Sequence, residues 1–142
     1  TNFSHAHPLT KAQRAAKPAL RREDRDLRRT FGWLTEQLRH PRLDEQSVRQ
    51  WVGARLEFAV AADADAALGF IAIASAGRLS PDQLNVLIFH GLRTIPRWRP
   101  DLARRVELFR PLIEEAAGSE NAKLAESARW AIAALDEASR NR

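Results

Sequence analysis

The run LSPDQLNVLIFHGLRTIP, residues 79–96, opens with the strongest helix-start signal in the chain. Ser80 can accept a hydrogen bond from the amide three residues on, and Gln83 can reach back to the Ser80 amide. Pro81 sits at the first helical position, where its missing N–H costs nothing, and Leu79 and Leu84 can close over the turn as a hydrophobic staple. Beyond that start, Leu84, Leu87, Ile88, Gly91, Leu92 and Ile95 share one stripe at helical spacing, and Val86 and Phe89 add apolar surface elsewhere. The pattern predicts a buried helix over 81–95, stopped by Pro96.

Immediately upstream, residues 66–76 read AALGFIAIASA, apolar on every side. A helix without a polar face is buried on several sides. Asp63 or Asp65 supplies its cap, and Gly77 closes it with a left-handed residue. These two helices are expected at the centre of the fold.

The remaining segments repeat the helical period. Leu27, Phe31, Leu34 and Leu38 recur at spacings of four, three and four, predicting a helix over 22–38 that ends at His40-Pro41. Asp44 can cap a helix running to about residue 62, with Leu43 and Val48 as its staple. Leu102, Val106, Phe109 and Ile113 predict a helix from about residue 99, kinked or split at Pro111. Gly118 then ends it, and Ser119 caps a last helix that turns Leu124, Ala128, Ala131, Ile132 and Leu135 inward. Over that one helix, AKLAESARWAIAALDEA is similar to the second helix of a HEAT-type repeat; no period recurs along the chain, so the likeness names no family. A short helix from Thr10 to Lys17, with Gln13 completing a capping box, precedes them all. Strand-type alternation and hairpin turns are missing from the sequence. The expected fold is all-α: a flexible tail over 1–9, then a single helical domain over 10–142 forming one compact bundle of six or seven helices.

A chain of 142 residues can bury roughly two thirds of its unfolded surface, enough for an ordinary core. It contains no cysteine, so disulfides, thiolate metal sites and cysteine nucleophiles are excluded and a cytoplasmic setting is expected. The longest uncharged run, residues 66–77, has twelve residues, short of the roughly 20 that cross a bilayer, so no membrane span is expected. The opening TNFSHAHPLT lacks a basic region followed by an apolar one, and no secretory leader is expected.

The net charge of +5 is unevenly spread: residues 1–43 carry +6 and residues 81–111 carry +3, while the other two blocks are each −2. Twenty of the twenty-three cations are arginine. Segment 93–110, RTIPRWRPDLARRVELFR, packs six arginines around one tryptophan and two prolines. There Arg93, Arg97, Arg99, Arg104 and Arg105 are candidates to hold carboxylates or phosphates, because a guanidinium fork matches either bidentately. Trp98 either stacks on a ligand or plugs the core beneath the corner. A basic arm of Lys11, Arg14, Lys17, Arg21, Arg22 and Arg25 joins them as a second candidate for an acidic surface or a nucleic-acid backbone.

No sequence signature of a nucleotide loop or metal cluster is present. His5 and His7 share a metal-like spacing without further ligands, so neither metal nor cofactor is expected. His90 is the one candidate for general-base chemistry; it would need a cleft and a carboxylate such as Glu107 or Glu114, and a hydrogen-bonded packing histidine is the alternative. Trp33, Trp51 and Trp130 read as helix-packing aromatics, with Trp130 most opposed to its helix's apolar face. The expectation is a non-enzymatic binding module that presents an arginine-rich surface to an acidic protein partner. A nucleic-acid-binding helical domain is the second reading, and a small helical enzyme built on His90 the third.

Overall fold

A computed structural model describes residues 27–39 and 45–141. The helix expected from Thr10, the tail, the basic arm of Lys11 to Arg25 and the Asp44 cap lie outside those residues. Among the described residues the fold is all-α, without strands, and its helices pack as a compact bundle.

In chain order the elements are α1 (Leu27–Arg39), α2 (Gln46–Ala62), α3 (Ala64–Ser75) and α4 (Pro81–Leu87), the last prolonged by a π turn, Ile88–Leu92. A corner of single turns follows: α5 (Ile95–Trp98), a 3-10 turn (Pro100–Leu102), α6 (Ala103–Val106) and a second 3-10 turn (Glu107–Phe109). Two antiparallel helices close the chain, α7 (Arg110–Ala117) and α8 (Ala122–Arg140).

The start of α4 is the predicted capping box. The Gln83 amide donates to Ser80 Oγ at 3.2 Å, and the Ser80 amide donates to Gln83 Oε1 at 2.7 Å. Gln83 Nε2 also donates to the Leu38 carbonyl, tying the end of α1 to the beginning of α4. The far end departs from the expected stop at Pro96. The pitch widens at Ile88, and the Arg93 amide donates to the Ile88 carbonyl at 2.9 Å, five residues back. Thr94 Oγ1 shares its single proton between the carbonyls of His90, at 2.9 Å, and Gly91, at 3.0 Å, the latter also accepting the Thr94 amide. Pro96 falls in the first turn of α5, where its missing N–H needs no acceptor.

Other boundaries show which local signal wins. Asp63 caps α3 by accepting from the Ala66 amide at 3.0 Å. Gly77 is not left-handed: α3 closes on Ala76 in ordinary right-handed geometry. Asn121 rather than Ser119 caps α8, accepting from Leu124 at 3.0 Å, while Ser119 Oγ accepts the Asn121 amide one step earlier. Pro111 does split the predicted sixth helix: a 3-10 turn ends at Phe109, and α7 begins with Pro111 in its first turn.

The core is centred on α4 and the π turn, where Val86, Leu87, Ile88 and Leu92 are essentially solvent-free, as is Ile95 at the start of α5. Leu34, Val52, Leu56, Ile71, Val106, Ile113 and Leu135 converge on them, each burial stabilising by about 1.5–3 kcal/mol. Gly91 allows the close approach of α3, since a Cβ there would come within 2.5 Å of Ile71 Cδ1. α3 itself is less enclosed than its composition implies. Ala67, Leu68, Phe70 and Ile71 face the core, but Ile73 is 80% exposed beside a groove shared with α1.

Candidate functional site

The corner between the π turn and α7 holds the candidate arginines, and it sorts them into three groups. Arg93 is interior, 7% exposed. Its Nε donates to the Phe89 carbonyl at 2.8 Å, its guanidinium stacks 4.0 Å from the Phe89 ring centroid, and Nη2 has no hydrogen-bond partner among the described residues. Burial holds this guanidinium below its ordinary pKa, Glu57 works against the shift, and Arg97 adds to it.

Arg99, Arg105 and Arg110 are exposed or half-buried and already paired. Arg99 grips Asp101 bidentately, with Nε to Oδ1 at 2.9 Å and Nη2 to Oδ2 at 2.7 Å. That hydrogen-bonded pairing raises Arg99 and draws the Asp101 carboxyl below the usual carboxylate range. Arg105 reaches across to Asp65 at the start of α3, which also lies 4.0 Å from Arg99. Arg110 holds Glu107 at 2.7 Å and Asp136 of α8 at 2.9 Å, and those bonds raise its pKa further. These pairs neutralise much of the charge that the segment carries on paper.

Arg97 and Arg104 form the third group: both are exposed, and their guanidinium groups make no ion pair or hydrogen bond among the described residues. Leu108, one turn beyond Arg104, is 81% exposed. Trp98 is half-buried and packs against the core.

Compared with protein-family models, curated proteins and solved structures, the chain has no significant match.

His90 occupies a second site, which sequence reasoning located without its partner. Its Nδ1 lies 2.5 Å from Glu57 Oε2, and both side chains are buried. Neither Glu107, engaged by Arg110, nor Glu114 supplies the carboxylate. Glu57 was legible in principle, because Gly53, Leu56, Glu57 and Val60 share one helical stripe, which places a carboxylate among apolar positions. Nδ1 thus faces the buried carboxylate of Glu57. The ring lies across Gly53. It borders a cleft of about 490 Å³ between α2, α4 and α8, walled by Phe89 and Trp130, whose ring centroids are 5.8 Å apart.

Trp130 is 46% exposed, so it packs on Phe89 with one side open to the cleft. Trp51 is also exposed and meets Trp33 edge-on at 5.0 Å, with Arg55 4.4 Å from the Trp33 ring. Among the described residues no three potential ligands converge as a metal site, and no helix is long and apolar enough to cross a membrane.

Proposed function

We propose that the protein is a non-enzymatic binding module that presents Arg97 and Arg104, flanked by the exposed Leu108, to an acidic protein surface. One observation carries this reading. The corner supplies carboxylates to Arg99, Arg105 and Arg110 but to neither Arg97 nor Arg104 among the described residues. Two unspent guanidinium forks are suited to carboxylates brought by a partner. An apolar side chain one turn from Arg104 adds area that a partner would desolvate. The paired arginines hold the corner in place, with Asp65 clamping it to α3.

Internal neutralisation favours a protein over a nucleic acid, whose affinity scales with the number of phosphates met by free cations. Absence of cysteine supports a cytoplasmic setting for the encounter. The test is charge reversal at Arg97 and Arg104, read as loss of captured acidic proteins from nuclease-treated extract.

A further inference from the structure

We propose that the groove between α1 and α3 takes an amphipathic helix of a partner protein, one whose apolar face is bordered by acidic residues, independently of the arginine corner. The two helices lie side by side. Phe31 stacks on Phe70 with ring centroids 5.1 Å apart, and Gln83 ties the Leu38 end of α1 to the chain beyond α3. Between them runs a groove of about 770 Å³. Its floor is low, because Gly32 and Gly69 line it and a methyl added at either meets nothing within 4 Å. A second helix can therefore come close to both backbones. Leu27, Ala66, Ala74 and Leu79 add partly exposed apolar surface, and Ile73 on the lip is 80% exposed. Such a surface suits the apolar stripe of a docked helix.

The charge of the rim selects the occupant. Arg28 stands at one end of the groove, and Arg39 and Arg78 stand at the other. All three are exposed, and their guanidinium groups make no ion pair or hydrogen bond among the described residues. No acidic side chain is among the described residues that line the groove. The 12-residue α3 sets its length at about 18 Å. Cations at both ends of that span match a three-turn helix with acids at both of its ends, whereas a lipid headgroup would meet one end only. Neither this chain nor a second copy of it answers the charge. Residues 1–26 hold six Lys or Arg against three acids, and two copies seated groove to groove would set one arginine rim against another.

The full chain would be titrated by two-dimensional amide NMR with synthetic peptides of about 16 residues, long enough to span the groove. The first carries leucine and alanine on one helical face and glutamate on the other. The second replaces every glutamate with lysine, and the third scrambles the first so that no apolar face remains. Sodium decanoate serves as the lipid-chain probe. The expected result is saturable binding of the glutamate peptide that shifts residues around Gly69 and Ile73. The lysine peptide should bind at least about tenfold more weakly, and neither the scramble nor decanoate should saturate. Gly69→Leu, which grows from a position where an added methyl meets nothing, should abolish binding without lowering the unfolding midpoint. Arg39→Ala/Arg78→Ala should erase the preference for glutamate over lysine. Arg97→Glu/Arg104→Glu should leave binding unchanged, which separates the groove from the corner. The proposal is overturned if the glutamate peptide fails to saturate, shifts residues elsewhere, or is matched by any of the other three probes. It is equally overturned if Gly69→Leu binds like the wild type, if Arg39→Ala/Arg78→Ala keeps the preference, or if Arg97→Glu/Arg104→Glu loses binding.

Discussion

The imidazole of His90 lies so close across Gly53 that a Cβ at position 53 would come within 2.1 Å of Nε2 and 2.2 Å of Cδ2. Helix α2 can therefore approach the π turn only where it lacks a side chain, and that approach delivers Glu57, one turn on, to His90 Nδ1.

Gly53→Ala should force His90 out of its place and destabilise the fold by about 2–3 kcal/mol, the scale of an overpacked core. Gly32→Ala is the contrast: nothing lies within 4 Å of its added methyl, so relief of helical glycine should stabilise by about 0.5–1 kcal/mol. Urea unfolding of the two variants checks both signs, and a neutral Gly53→Ala would contradict the packing described.

Glu57→Ala strands a buried imidazole N–H and removes the carboxylate near the buried Arg93 guanidinium. The expected loss is about 2–3 kcal/mol. In a double-mutant cycle with His90→Ala, the two losses should fall well short of additive, because the second substitution removes a group the first has already orphaned. Additive losses would show that the pair is not coupled.

Much of the fold was legible because its signals are local. Ser80, Pro81 and Gln83 specify a helix start without help from elsewhere, and Asp63 does the same for α3. The π turn was not, because a widened pitch depends on what packs around His90 and Thr94 rather than on residues 88–92 themselves. At α8 the expected cap, Ser119, gives way to Asn121, whose Oδ1 accepts the Leu124 amide. The candidate site divided the same way. Arginine density was visible in the sequence, but Asp65 and Asp136, which neutralise Arg105 and Arg110, lie 40 and 26 residues away in the chain.

Ser80→Ala should cost about 1 kcal/mol, the usual worth of a helix N-cap. Gln83→Ala removes both the return bond of the capping box and the tie to Leu38, so its cost should exceed that of Ser80→Ala. Thermal unfolding of the two variants side by side decides the order, and equal midpoints would mean that the Leu38 tie contributes nothing.

Asp101 has its folded pKa lowered by Arg99, so the stabilisation it provides is full above the ordinary carboxylate pKa and is lost as pH falls through the lowered value. The stability difference between wild type and Asp101→Asn should therefore be present at neutral pH and vanish in acid. Because the pair is exposed, the difference should be small and should shrink in about 1 M salt. A difference that grows on acidification would reverse the assigned sign.

The central claim rests on Arg97 and Arg104. The most direct measurement is quantitative capture of proteins from nuclease-treated extract on the immobilised full chain, wild type against Arg97→Glu/Arg104→Glu, with an unchanged unfolding midpoint as the control for folding. The account predicts that acidic proteins held by the wild type are lost from the variant and are released from the wild type by moderate salt. Retention of the same proteins by the folded variant would contradict it.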